Sequence, residues 1–168
     1  MPDPFAHLSD QARLWVYAFA QPLTPAQEEL VRQELNALQR TWNSHGSSVR
    51  GAHDVREARL VLLAAELATG TISGCGIDSS VRVFKALRQA HGLDALNHHL
   101  VHYRDGERLQ AVSRAAFQAL VDSGRVTPAT PVIDLTLTTV GELRAGRLEA
   151  PMAATWHSQA FAASAPPR

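Results

Sequence analysis

The sequence predicts an α+β fold, a two-layer sandwich in which helices cover a mixed or mainly antiparallel sheet. Short apolar runs rich in aromatic and β-branched residues indicate strands, and apolar residues at steps of three and four indicate amphipathic helices. An Asp-Gly pair between two alternating runs predicts an antiparallel hairpin. The predicted order is β-α-β-α-β-β-α-β. Because 168 residues can bury one core, we expect a single globular domain over 1–168, with residues 162–168 frayed.

The first strand and the first long helix have the clearest patterns. The run "RLWVYAFA" (13–20) predicts a strand that ends before Pro22. A helix is predicted over 23–46, because Thr24 and Gln27 can form a capping box and Gly46 can end it. Its buried stripe has the spacing of one helix face and comprises Val31, Leu35, Leu38, Trp42 and His45.

The middle of the chain predicts a central strand between two loops. Residues 47–56 are polar and predict a loop, whereas 58–67 are continuously apolar, as in a strand covered on both faces. Glu66 at its end could line a cleft, as carboxylates at strand ends can, but a solvated acid is the expected interpretation. Residues 70–80 are small and predict a second loop, followed by a helix from Val81 to His91 that Gly92 ends.

The last third predicts a hairpin, a helix and a final strand. The hairpin covers 100–112 around Asp105-Gly106, and Ser113 caps a helix over 114–124. The last strand is predicted over 131–137. Thr139 and Glu142 form a second capping box for one short turn, and the segment with Trp156 and Phe161 is expected to pack as a short helix.

Composition argues against several classes of partner. The net charge is zero and the isoelectric point is about 7.1, so no overall field would attract nucleic acid or an anionic membrane. The longest strongly apolar stretch is far shorter than the roughly 20 residues of a membrane span. The single cysteine cannot form an internal disulfide, which favours the cytoplasm. His98, His99 and His102 lack the motifs of a metal site, and we expect neither metal nor cofactor.

The segment "SGCGIDSS" (73–80), here called the cysteine segment, is the main candidate for a site. Helix N-termini bind anions and favour thiolates, so Gly74, Gly76, Ser79 and Ser80 could hold an anionic or polar ligand. A second interpretation is catalytic, with Cys75 as nucleophile, His45 as base and Asp78 as the orienting residue. A third is structural: Asp78 or Ser79 caps the helix, and Cys75 is a small buried group.

Residues elsewhere could complete a ligand site around the cysteine segment. Arg13 would donate hydrogen bonds to an anion, and three aromatic residues would form the walls: Trp15, Tyr17 and Trp42. The chain has no Gly-Lys-Ser/Thr phosphate loop, and the G-x-x-x-G-x-G spacing of Gly70, Gly74 and Gly76 is wrong for a dinucleotide-binding fold. Nucleotide hydrolysis of the phosphate-loop kind is therefore not expected.

Three of these stretches also resemble the motifs of a family of small bacterial proteins of unknown function, some labelled "ABC transporter ATPase". That family shows an Arg-x-Trp-Val-Tyr strand, matched at residues 13–17, and a Trp-x-x-His-Gly helix end, matched at 42–46. Its Ser-Gly-Cys-x-Ile-Asp-Ser-Ser segment matches 73–80. The resemblance spans nearly the whole chain and implies no established reaction. Where the family has Phe-Asn-Asn, this chain has Ile133-Asp134-Leu135.

Three functions follow from these patterns. The first is a binding module for a small anionic or polar ligand at the cysteine segment. The second is a cysteine-dependent enzyme, and the third is a structural or oligomer-forming protein. A concave pocket beside the cysteine segment would favour the first, whereas a base within hydrogen-bond reach of Cys75 would favour the second.

Overall fold

The apolar runs predicted as strands pair with one another, and the α+β class with antiparallel sheets is confirmed. The computed structural model describes residues 2–44, 46–68, 72 and 74–163, and of residues 74–76 the backbone alone. The chain divides into two compact units: Met1–Asn97 with Leu135–Ala145, and His98–Asp134 with Gly146–Arg168. The expectation that these form a single domain stays a prediction.

Unit 1 contains a three-stranded antiparallel sheet and the two long helices. The sheet order is β1-β5-β4, with β1 at Arg13–Ala18, β5 at Leu60–Glu66 and β4 at Arg50–Arg56. Helix α1 spans Pro25–Thr41 and α2 spans Gly74–His91. A small hairpin joins β2 (Asn43–Ser44) to β3 (Ser47–Ser48), and α4 (Val140–Arg144) returns from later in the chain.

Both long helices contribute to the core on one face of this sheet. Register pairs Trp15 and His53 with Leu63, so alternate residues of all three strands share that face. The buried cluster joins strand residues to helix residues, among them Tyr17, Val61, Leu63, Val31, Leu35, Phe84 and Leu87. Unit 1 therefore has the helix-on-sheet layering that the sequence predicts.

Helix α1 begins as predicted and ends earlier. Thr24 accepts from the Gln27 backbone N–H, and the Gln27 side chain accepts from the Thr24 N–H, which completes the capping box. The prediction that the helix continues to residue 46 is wrong. Trp42 has extended backbone angles, and its carbonyl accepts from Val49 N–H at 3.1 Å as the chain turns into β2 and β3.

Two predicted loops in unit 1 are also corrected. Residues 50–56 form strand β4, which pairs with β5 along its whole length. Strand β4 lies at the edge of the sheet, where a strand can be largely polar, so its composition resembles that of a loop. Helix α2 starts at Gly74 instead of Val81, so Asp78 and Ser79 are helical residues and not caps. Half-buried Ile77 and fully buried Ser80 continue the face of Phe84 and Leu87, and this packing outweighs the low helix propensity of glycine and serine.

Helix α4 and the residues before it attach to the N-terminal segment of unit 1. The N–H groups of Val140 and Gly141 donate to the carbonyls of Ala12 and Asp10, both at 3.0 Å. The Arg144 guanidinium donates to the carbonyls of Phe5 and Leu8, each at 2.9 Å. The predicted Thr139–Glu142 capping box begins this helix.

Unit 2 contains a four-stranded antiparallel sheet in the order β7-β6-β8-β9. The predicted hairpin is β6 (Leu100–Asp105) with β7 (Arg108–Ser113), and β9 spans Glu149–Pro151. Strand β8 covers only Pro131–Ile133. Asp134 N–H still donates to the carbonyl of Leu148, the residue before β9, and the chain then leaves the sheet. Ser113 caps α3 (Arg114–Asp122), and a short 3₁₀ turn (Met152–Ala154) precedes α5 (His157–Ala160).

Candidate functional site

A cleft of about 610 Å³ lies at one end of the sheet of unit 1 and is here called the strand-end cleft. Its lining comes from the segment before β1, the ends of all three strands, the residues after β5, the first turns of α2 and the residues before α4. The lining residues are Ser9, Gln11, Arg13, Arg50, Ala65, Glu66, Leu67, Ala68, Ile72, Ile77, Thr138 and Thr139.

Antiparallel pairing explains why charged residues from distant segments meet here. Strands β1 and β4 both start where β5 ends, with Arg13 opposite Ala65 and Arg50 opposite Glu66. An isolated bridge also places Thr139 beside Arg13. The fold thus brings two arginines and one glutamate to one end of the sheet.

Glu66 is held tightly on one side of the strand-end cleft. Ser9 donates its hydroxyl to Oε2 at 2.6 Å and its backbone N–H to Oε1 at 3.1 Å, and Arg50 Nη2 lies 2.9 Å from Oε1. Burial of the carboxyl opposes ionisation, but these partners outweigh it and lower the pKa of Glu66 below its ordinary value. Glu66 is therefore an ionised hydrogen-bond acceptor at neutral pH, and the expectation of a solvated acid is wrong.

Arg13 is the second positive charge and is held differently. Its guanidinium carbon lies 5.9 Å from the centre of the Trp15 ring, and the residue is exposed. Within the described part of the chain, Arg13 forms no ion pair. Its guanidinium therefore lies at the cleft without an ion-pair partner among the described residues, and its predicted role in binding an anion stays a prediction.

The cysteine segment contributes to the cleft through its helical position. Ile77 lines the cleft, whereas Asp78 is exposed and Ser79 is half-buried, and neither is a lining residue. Ser80 is fully buried, and its hydroxyl donates to the Ile77 carbonyl at 2.7 Å. Ser80 also forms a hydrogen bond with Tyr17. Burial raises the pKa of Tyr17, and this hydrogen bond offsets only part of the increase. Ser80 therefore packs the helix against the sheet.

The predicted aromatic walls are part of the core of unit 1. Tyr17 stacks on Phe84 with ring centres 3.9 Å apart, and Trp42 packs against Trp15 at 5.9 Å. Tyr17 and Trp42 are buried, and none of the three predicted residues lines the strand-end cleft. The apolar lining residues that the structure describes are aliphatic instead.

The catalytic interpretation concerns residues that the structure does not fully describe. His45 and Ser73 lie outside the described residues, and Gly74, Cys75 and Gly76 are described as the first backbone turn of α2. The pairing of Cys75 with His45 stays a prediction. Among described residues, no three His, Cys, Asp or Glu side chains are grouped closely enough to hold a metal ion.

Sequence reasoning missed most of the polar residues of the cleft. Ser9, Gln11 and Thr138 belong to segments with no motif, and Arg50 stands in a predicted loop. The position of Glu66 at the end of an apolar run did indicate a cleft, because carboxylates at strand ends can line one, but the sequence favoured a solvated acid there.

Comparison with known proteins adds no relative. Neither a protein-family model, nor a curated protein, nor a solved structure matches this chain. No helix in the described ranges has both the length and the apolar character that crossing a membrane requires.

Proposed function

We propose that this chain is a binding module for a small anionic ligand, which it holds in the strand-end cleft. The observation that carries this proposal is Arg13, an arginine without an ion-pair partner among the described residues, in a cleft of about 610 Å³. Clefts of this size are typical of small-molecule sites. A guanidinium is well suited to a carboxylate or phosphate because it donates two parallel hydrogen bonds.

The start of α2 supports the same ligand charge. The helix begins three residues before Ile77, which lines the cleft, and it continues for 18 residues. The N–H groups of a first turn lack partners within the helix, and the helix dipole adds a partial positive charge there. An anion beside Arg13 would therefore also lie near the positive end of a long helix.

The proposal is tested by titrating the ¹⁵N-labelled protein with acetate, inorganic phosphate and hexanoate at constant ionic strength. We expect saturable shifts of the amide signals of residues 13, 65–68 and 77 with at least one of these anions. In Arg13→Gln, affinity should fall by about tenfold or more, because a charge-assisted hydrogen bond contributes roughly 1.5–3 kcal/mol.

Matched variants separate the cleft from general charge and from the cysteine. Arg88→Gln removes the same charge from an exposed position in the last turn of α2 and should bind as the parent does. Cys75→Ser should also retain binding, whereas loss of binding in this variant would favour a cysteine-dependent site. Absence of saturable shifts with all three anions, or equal affinity in Arg13→Gln, would overturn the proposal.

We place this binding in the cytoplasm. The single cysteine, which cannot form an internal disulfide, is in keeping with a reducing compartment.

A further inference from the structure

The strand-end cleft has two chemically different sides. Its polar residues are Ser9, Gln11, Arg13, Arg50 and Glu66, together with Thr138 and Thr139. Among the residues that the structure describes, the others that line the cleft are aliphatic: Ala65, Leu67, Ala68, Ile72 and Ile77. Leu67 and Ile72 also pack against the core of unit 1, so this aliphatic wall has support from behind. A ligand that fills the cleft must therefore match a charged side and an apolar side together.

The charged residues that line the cleft in the described ranges leave one positive charge for a ligand. Arg50 and Glu66 neutralise each other through their 2.9 Å ion pair, which leaves Arg13. A single guanidinium balances a single negative charge. A dianion would place its second charge in a cleft that already holds the Glu66 carboxylate, and like charges at short range in a partly buried site repel strongly.

We infer that the ligand is an amphipathic monocarboxylate, an aliphatic acid whose carboxylate pairs with Arg13 and whose chain covers Leu67, Ile72 and Ile77. This inference rests on the proposed function and deepens it by naming the class of anion. An inorganic anion would leave the aliphatic wall exposed to water, and a neutral apolar molecule would leave Arg13 without a partner. An aliphatic acid satisfies both sides.

A homologous series of ligands tests this inference on the unmodified chain. The probes are acetate, butanoate, hexanoate, inorganic phosphate and hexan-1-ol, with dissociation constants taken from the amide shifts of residues 65–68 and 77. We expect affinity to rise about threefold for each added methylene, because each buried methylene contributes roughly the corresponding transfer free energy. Hexan-1-ol, with the same chain and no charge, should bind about tenfold more weakly than hexanoate or worse.

A pair of variants on α2 locates the apolar contact. Ile77→Ala should reduce the gain in affinity from acetate to hexanoate by about tenfold, so that hexanoate loses much more affinity than acetate does. Val83→Ala is the matched control, since Val83 is also half-buried on α2 and does not line the cleft. Far-ultraviolet circular dichroism shows whether both variants are folded. The titrations of the parent chain with the ligand series test the inference even if a variant does not fold.

The outcomes distinguish this inference from the proposed function. A chain-length gain that Ile77→Ala removes and Val83→Ala keeps would support the inference. Equal affinity for acetate, hexanoate and phosphate, with sensitivity to Arg13→Gln, would overturn the aliphatic acid and leave the anion-binding function standing. Binding of hexan-1-ol as tight as that of hexanoate would overturn the inference, and no binding of any anion would overturn the proposed function itself.

Discussion

Glu66 and Arg13 show what single residues decide in the strand-end cleft. They lie on neighbouring strands, but Glu66 already has Ser9 and Arg50 as partners, whereas the Arg13 guanidinium contacts the Trp15 ring and forms no ion pair in the described part of the chain. One carboxylate therefore sets the charge balance of the whole cleft. Removing that charge should change both what binds and how stable the protein is.

Substitution Glu66→Gln is expected to raise the affinity for anions by about tenfold and to admit inorganic phosphate, because a nearby negative charge is lost and Arg50 is released. The same variant should lose about 1–2 kcal/mol of stability, since its neutral amide is a weaker acceptor for Ser9 and Arg50. Titration of amide shifts and urea unfolding measure the two effects. Glu34→Gln, at an exposed position on α1, is the control with the same change of charge, and equal phosphate affinity in both variants would contradict the prediction.

His157 gives unit 2 a dependence on pH. The residue is 2% exposed and stacks on Trp156, and Thr155 Oγ1 lies 2.9 Å from its Nδ1. Burial lowers the pKa of His157 to about 4, with Asp134 opposing and Arg114 assisting this change. The folded protein thus binds this proton less readily than the unfolded chain, whose histidine titrates near 6.5.

The lowered pKa of His157 should contribute fully to the free energy of unfolding above pH 6.5. This contribution should be lost as the pH falls toward 4, by on the order of 3 kcal/mol in total. Urea unfolding at a series of pH values between 4 and 7 measures this slope. In His157→Gln, unfolding should take up about one proton fewer over this pH range, so the free energy of unfolding should depend less steeply on pH. The variant should also be less stable than the parent at pH 7. An unchanged slope in this variant would assign the acid sensitivity to other groups, such as His53, whose pKa is lowered by burial and by Arg32 against the opposing effect of Asp54.

At the scale of elements, those that depend on local motifs were predicted correctly, whereas those that depend on long-range packing were missed. Both capping boxes and the Asp-Gly hairpin are found where the sequence placed them, since each depends on residues within a few positions of one another. The first two turns of α2 were missed because Gly74, Gly76 and Ser79 disfavour helices, and only packing against the sheet explains them. Strand β4 was missed because its polar sequence becomes a strand only through pairing with β5.

The capping box of α1 predicts a measurable contribution to stability. Thr24→Ala should destabilise the protein by about 1 kcal/mol, because the N–H of Gln27 loses its acceptor. Thr41→Ala at the other end of the same helix is the matched control. The Thr41 hydroxyl only donates to the Ala37 carbonyl on an exposed surface, so this variant should lie within about 0.5 kcal/mol of the parent. Urea midpoints compare them, and equal losses would show that the box contributes nothing specific.

At the scale of the whole molecule, the class was predictable and the arrangement of strands was not. The sequence correctly predicts an α+β protein, but the strands belong to separate sheets instead of one. The pairing of β1 with β5 and that of β6 with β8 join segments far apart in sequence. None of these strands contains a local motif from which its partner strand could be predicted. The candidate site shares this limit, because it combines residues from positions 9 to 139.

The return of residues 135–145 to unit 1 predicts how fragments behave. A fragment of residues 1–97 should be less stable than the same fragment joined through a flexible linker to residues 135–145, by roughly 3 kcal/mol or more. The fragment of residues 1–97 alone lacks the backbone hydrogen bonds that join residues 10, 12 and 14 to residues 138–141, and also the hydrogen bonds that Arg144 donates. Thermal unfolding followed by circular dichroism compares the two fragments. Identical midpoints would mean that α4 is dispensable for unit 1.

This interrupted layout has a consequence for the protein while it is being made on the ribosome. Chains emerge from the N-terminus, and an N-terminal unit ordinarily folds first. Here the last piece of unit 1 emerges only after residues 98–134, which carry β6, β7, α3 and β8. The N-terminal unit must therefore wait, with its α4 contacts unmade, until most of the other unit has already left the exit tunnel.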